Sequence, residues 1–184
     1  MKETQHIPSS PNWDQSGDEV FDWSLPEAFT LKPAGELVAI VGAGGKTSLM
    51  FALARALPGR TVTTTTTRIF AAQMKLAPAV CITGEGSGER IDAPVPVSGL
   101  GSLLALHDHC LVVGRVEGEK AFGVPPRLPV QLLARSDIDT VLVEADGSRM
   151  KPCKAPAVHE PVLPTGATIV IPVVGIDALG RCLC

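Results

Sequence analysis

The sequence has no basic-then-apolar opening of the secretory kind, and no apolar run near the ~20 residues that a membrane-spanning helix requires. Residues 1–16 are instead polar, with Pro, Ser and Gln recurring. A cytoplasmic protein without a membrane partner is therefore expected. Basic residues are not in excess either. Sixteen Lys and Arg stand against 19 Asp and Glu, for a net charge of −3. A constitutive nucleic-acid binder needs a basic face to displace counterions, so no nucleic-acid partner is expected. Cysteine is scattered over five positions, 81, 110, 153, 182 and 184. An odd count in such a setting argues against a disulfide framework. The pair Cys182-Leu183-Cys184 has the spacing to share a soft metal, but two ligands at the end of a chain read as incidental.

What is present is core material. Hydrophobic residues make up 45 % and charged residues 19 % of 184 positions, enough to bury one core. We expect a flexible leader over residues 1–18 and a single domain over residues 19–184. Residues 37–41 (LVAIV) form a continuous apolar run that suits a buried parallel strand. Residues 47–57 (TSLMFALARAL) read as a helix that Pro58-Gly59 ends. Strands are further predicted over 61–65, 79–83, 140–144 and 168–174, and a short helix over 22–30 with Ser24 as N-cap. Residues 129–135 read as a helix, 84–101 as a loop, and 110–116 as a strand opening a hairpin that closes through Glu117-Gly118. Strands alternating with helices predict an α/β fold of the P-loop NTPase type, a mostly parallel sheet flanked by helices. In such sheets ligands sit beyond the carboxyl ends of the strands.

The segment 41–48, Val-Gly-Ala-Gly-Gly-Lys-Thr-Ser, lies at such an end. Glycines let the backbone close on a phosphate and aim N–H donors at it, and the helix that follows adds its partial positive charge. Gly42, Ala43, Gly44, Gly45, Lys46, Thr47 and Ser48 are therefore candidate nucleotide-binding residues. Lys46 is placed to reach the β- and γ-phosphates and the Thr47 hydroxyl to ligate Mg²⁺. The spacing is the short G-x-x-G-K-[ST] form, because Ile40 stands where the longer pattern has glycine.

Two further segments fall at strand ends. The threonine run 63–67 outlasts its strand and leads into Arg68, so Thr66, Thr67 and Arg68 are candidates for phosphate or acidic-substrate contacts. Glu144 and Asp146 follow the apolar run at 140–143, where an NTPase keeps the carboxylate that holds Mg²⁺ or orients water. With Lys46 they form the candidate catalytic set, and with Thr47 the candidate metal ligands. The segment 151–161, with Lys151, Lys154, His159 and Glu160 between prolines, offers charge beside that acidic end, and its lysines, Lys154 above all, are candidates to bind a phosphate or an acidic ligand. His107-Asp108-His109 lacks a third ligand in register and reads as solvated surface.

The segments VAIVGAGGKTSLM, VTTTTTRIF, VLVEADGSRMKPCKAPAVHEPVLP and VVGIDALG closely resemble the selenium-dependent hydroxylase accessory protein family (YqeC-like). The resemblance runs from about Leu37 to Gly180. It implies a P-loop protein that binds ATP or GTP with Mg²⁺ and helps to mature molybdenum hydroxylases, with such an enzyme or its maturation proteins as partner. By residue match, Gly42, Gly44, Gly45, Lys46 and Thr47 would form the phosphate site, Glu144 and Asp146 the acidic pair, and Lys154, His159 and Glu160 part of a characteristic loop. Family members usually continue well past VVGIDALG, whereas this sequence stops at Cys184, so an end truncated relative to the family is expected, with base-recognition or substrate-binding parts among the missing elements. The residues alone leave other classes open: a small-molecule kinase or ligase using the same loop, or a non-catalytic nucleotide-binding module. A guanine-reading N-K-x-D motif is absent, which leaves ATP and GTP unresolved.

Overall fold

The computed structural model describes residues 12–13, 19–20, 23–84, 97–147, 151–155, 158 and 160–180. Most of the expected leader, most of the expected 84–101 loop, Ser148, His159, Cys182 and Cys184 lie outside the described residues. Asn12–Trp13 and Glu19–Val20, at the leader's edge, pair with each other as a short antiparallel ladder.

Among the described residues nine further strands follow, labelled in chain order. They are β1 (Glu36–Gly42), β2 (Thr61–Thr65), β3 (Arg68–Phe70), β4 (Val80–Ile82), β5 (His109–Val113), β6 (Val116–Glu117), β7 (Lys120–Phe122), β8 (Thr140–Glu144) and β9 (Ile169–Val173). The helices are α1 (Leu25–Ala28), α2 (Lys46–Ala56), α3 (Leu100–His107) and α4 (Leu128–Leu133). Six strands form one sheet in the order β9-β1-β8-β2-β5-β4, and every pairing in it is parallel.

Burial of both sheet faces explains the unbroken apolar runs. On β8, Val141 and Val143 join one core cluster with Leu100, Leu104, Leu128 and Leu132 of α3 and α4. Leu142 points the other way, into a cluster with Met50, Phe51 and Leu53 of α2. Side chains alternate along a strand, so Glu144 shares the face of Leu142 and points toward the α2 layer. The chain enters β1, skips a place to β2, crosses to the far edge at β4, comes back one place to β5, and returns to insert β8 between β1 and β2. That reversal opens a crevice at the carboxyl ends of β1 and β8.

The observed elements correct two expectations. The strand expected over 110–116 ends at Val113 inside the main sheet. The hairpin is separate: β6 and β7 pair with each other, and β7 pairs in turn with β3, forming a three-stranded antiparallel sheet. Helix α3 falls where the loop reading overran. Gly101 and Ser102 weaken its helix propensity, and what holds it is the burial of Leu100 and Leu104, one turn apart. At α1, the Ser24 N–H and hydroxyl both donate to the Glu27 carboxylate, a cap of the expected kind.

Candidate functional site

Strand β1 ends at Gly42, whose φ is +104°. A Cβ there would lie 2.2 Å from the Val173 carbonyl oxygen of β9, so only glycine fits. The next residue keeps to β9 as well, with Ala43 N–H donating to Val173 O at 2.8 Å. The loop then turns through Gly44 and Gly45, and α2 starts at Lys46. Lys151 O and Pro152 Cα lie within 4 Å of where a side chain on Gly44 would begin, which places that segment against the loop. Pro152 O also accepts from Gly175 N–H at 2.7 Å.

Lys46 is buried. Its Nζ donates to Gly42 O at 2.8 Å and Ala43 O at 3.0 Å, and lies 3.0 Å from Asp146 Oδ1. Asp146 Oδ2 accepts from Gly42 N–H at 2.9 Å and lies 3.5 Å from Lys154 Nζ. Lys154 in turn donates to Gly147 O and pairs with Glu160 Oε2 at 2.6 Å. The carboxylates and ammonium groups thus form one chain, Lys46–Asp146–Lys154–Glu160, that locks the first half of the glycine loop to the segment following β8. Burying these charges is tolerable because each faces an opposite one and hydrogen-bond donors or acceptors besides.

Glu144 behaves differently. The Thr47 hydroxyl donates to its Oε2 at 2.7 Å. Burial pushes the Glu144 carboxyl above the usual carboxylate range; the Thr47 hydrogen bond and the Lys46 charge pull it back, and the Asp146 charge raises it further. Thr47 and Glu144 together present hard oxygens of the kind Mg²⁺ prefers, and Mg²⁺ commonly takes only one or two protein ligands beside phosphate oxygens and water. Asp146 is already committed to Lys46, Gly42 and Lys154. Among the described residues, no three His, Cys, Asp or Glu side chains gather as a metal cage.

The threonine run is spent largely on structure. Thr65 Oγ1 donates to Glu144 O at 2.9 Å, Thr66 Oγ1 to Val162 O at 2.7 Å, and Thr64 Oγ1 to Val112 O at 2.7 Å. Thr67 Oγ1 lies 3.3 Å from Thr65 Oγ1. Beneath this turn, a Cβ on Gly123 would come within 2.6 Å of Thr65 O and Thr67 N. Arg68 is exposed, with its guanidinium 5.4 Å from the centre of the Phe122 ring on β7.

Two clefts flank the glycine loop, and Ala43 lines both. The one on the α2 side, about 190 Å³, is polar in character: Lys46, Thr47, Ser48 and Glu144 line it, together with Phe70 and Gln73. The one on the β9 side, about 240 Å³, has Val41, Pro161, Pro172, Val173 and Val174 as walls, with Asp146, Cys153 and Lys154. The structure therefore brings Gly42, Ala43, Gly45, Lys46, Thr47, Ser48, Glu144, Asp146 and Lys154 to one place. Thr66, Thr67 and Arg68 line neither cleft. Sequence reasoning missed Phe70, Gln73, Cys153, Val173 and Val174. Phe70 and Gln73 come from β3 and the 3-10 turn Ala71–Leu76, and nothing local in that stretch marks it as part of a site. On the β9 side, Cys153 lies within the 151–161 segment and Val173-Val174 within VVGIDALG, but neither stretch by itself marks a cleft wall.

A family model described as YqeC protein matches residues 38–184. The "Uncharacterized protein YqeC" of Escherichia coli (strain K12) is 36 % identical over 147 residues, which cover 78 % of this chain and 53 % of that protein. The chain thus spans about half the length of the curated relative it matches. No solved structure matches. Among the described residues, no helix is long and apolar enough to cross a membrane.

Proposed function

From the premise that this chain belongs to the YqeC family, we propose that it binds a nucleoside triphosphate, ATP or GTP, at the glycine loop of a P-loop NTPase-like fold, and hydrolyses it as an accessory factor in the maturation of selenium-dependent molybdenum hydroxylases. The observation that carries the nucleotide reading is the Thr47–Glu144 contact beside Lys46, where β1 and β8 end at the reversal of strand order. Phosphate oxygens would lie in the polar cleft against the N-terminus of α2, whose free N–H groups favour an anion. Lys46 would exchange its contacts with Gly42 O and Ala43 O for phosphate oxygens and keep Asp146 as counter-charge.

Thr47 and Glu144 would hold Mg²⁺, which when bound neutralises charge on the phosphates. The raised affinity of Glu144 for a proton supports this assignment: a carboxyl that burial disfavours as an anion gains most from a cation alongside. The role in hydroxylase maturation, with such an enzyme or its cofactor-maturation proteins as partner, rests on the family resemblance alone. A small-molecule kinase or ligase is the second reading. It is favoured by the lining of the polar cleft, where Phe70 and Gln73 border space that an acceptor could occupy.

Calorimetry with ATP and GTP, each with and without Mg²⁺, tests the core of the proposal. Binding that strengthens with Mg²⁺ supports it; no binding of either nucleotide removes it. Turnover without any added acceptor favours the accessory NTPase, and strictly acceptor-dependent turnover favours the kinase or ligase.

A further inference from the structure

We infer that the β9-side cleft is the seat of the nucleotide's heterocycle, so that a bound nucleotide straddles the glycine loop with its base on one side and its phosphates on the other. The inference rests on the nucleotide reading and adds to it the placement of the base. It starts from the contrast between the two clefts. The α2-side cleft offers the start of a helix, a lysine, two hydroxyls and a carboxylate. The β9-side cleft offers the side chains of Val41, Val173 and Val174 and the rings of Pro161 and Pro172.

Charge assigns the two halves of the ligand. The β9-side cleft carries the Asp146 carboxylate, whose counter-charges Lys46 and Lys154 are already engaged with it. Among the described lining residues, an anion placed there would meet that carboxylate with both lysines already engaged. A neutral ring suffers no such cost and gains from burial against aliphatic and proline surface. Size agrees. At about 240 Å³ the cleft lies below the roughly 300–1,000 Å³ of sites that enclose whole drug-sized ligands. It accommodates part of a nucleotide, and the remainder must pass over a shared wall. Ala43 belongs to that wall but is itself buried, so the crossing runs over the more open glycine backbone beside it.

The cleft also contains its own reporter. Cys153 lines it and is half-buried, while Cys81 and Cys110 are buried. Burial pushes the thiols of both Cys81 and Cys110 upward, Cys110 to about 12, so neither competes for an alkylating reagent.

The test compares MgATP and MgGTP with Mg²⁺-inorganic triphosphate, which has phosphates and no ring. Val174 is 63 % exposed, so Val174→Trp narrows the cleft without entering the core. The expected result is that Val174→Trp weakens ATP and GTP by about tenfold or more and leaves triphosphate affinity unchanged. In the parent chain, ATP should slow alkylation of Cys153 by iodoacetamide, read on its own peptide by mass spectrometry, and triphosphate should not. Unchanged ATP and GTP affinity in the variant, equal loss of all three ligands, or equal protection of Cys153 by ATP and triphosphate would overturn the placement while leaving phosphate binding standing. A parent chain that binds none of the three removes the nucleotide reading and this inference with it.

Discussion

The two ends of the central sheet bury ionisable groups in opposite ways. At the carboxyl end, Lys46 and Asp146 are both buried and meet at 3.0 Å. At the amino end, His107 and Asp108 lie on solvated surface as expected. His109, at the start of β5, does not: the first residue of an inner strand is covered by its neighbours, and His109 is buried beside Thr63 Oγ1 at 3.0 Å. Burial, and secondarily the charge of Arg55, lowers its pKa to about 4, so it is neutral at ordinary pH. A cavity of about 500 Å³ opens there, larger than either cleft at the glycine loop, lined by Arg55, Lys75, His107 and His109 among others. Arg55, Lys75 and His107 are exposed side chains. Size alone would choose the amino end as the site. Buried charge chooses the other, because a protein keeps paired ions out of water at considerable cost and a solvated groove costs nothing.

The largest expected effect breaks the carboxyl end at its backbone. Gly42→Ala forces a side chain onto a φ of +104° and against Val173 O, and should destabilise by about 4 kcal/mol, from strain and overpacking together. Chemical denaturation measures it; a loss under about 1 kcal/mol would mean the loop relaxes freely. Next is the ion pair. Lys46→Ala should cost about 3 kcal/mol by leaving Asp146 short of its partner, and Lys46→Met combined with Asp146→Asn should recover most of that loss. Additive losses in the double variant would show that the pair is not coupled.

The amino end should respond to acid. His109 binds its proton more weakly folded than unfolded, so its contribution is full above about pH 6.5 and lost as pH falls through about 4. The parent should lose about 2–3 kcal/mol across that window from this group, and His109→Gln should flatten the profile there. Parallel profiles for parent and variant would count against a buried neutral histidine. The smallest effect has the opposite sign. Glu144 binds its proton more tightly folded than unfolded, so ionising it costs stability as pH rises above about 4.5. Glu144→Gln retains an acceptor for the Thr47 hydroxyl and should slightly stabilise the metal-free chain at neutral pH, the gain vanishing toward about pH 4. The same change should weaken Mg²⁺-dependent nucleotide binding, and unaltered Mg²⁺ dependence would remove Glu144 from the metal site.

Much of this was legible from local pattern. The run at 140–144 is the strand Thr140–Glu144, because apolar continuity signals burial on both faces. Helix α2 covers nearly the residues its composition suggested. Thr66 and Arg68 were less readable. A hydroxyl at a strand end serves a ligand or a neighbouring carbonyl equally well, and for Thr66 the tertiary partner is Val162 O.

The sequence by itself determined that this chain builds a parallel α/β sheet with glycines, a lysine and two carboxylates at strand ends, since periodicity, apolar runs and glycine placement act over a few residues. Only the tertiary structure decided how the carboxylates divide. Val143 and Ala145 set no difference between Glu144 and Asp146 in one dimension. The insertion of β8 between β1 and β2 aims Glu144 at Thr47 on the α2 face and lets the chain turn so that Asp146 reaches Gly42, Lys46 and Lys154. The pairings of Glu144 with Thr47 and of Asp146 with Gly42 and Lys46 join residues about a hundred positions apart, and a local pattern carries no information about which strands will become neighbours.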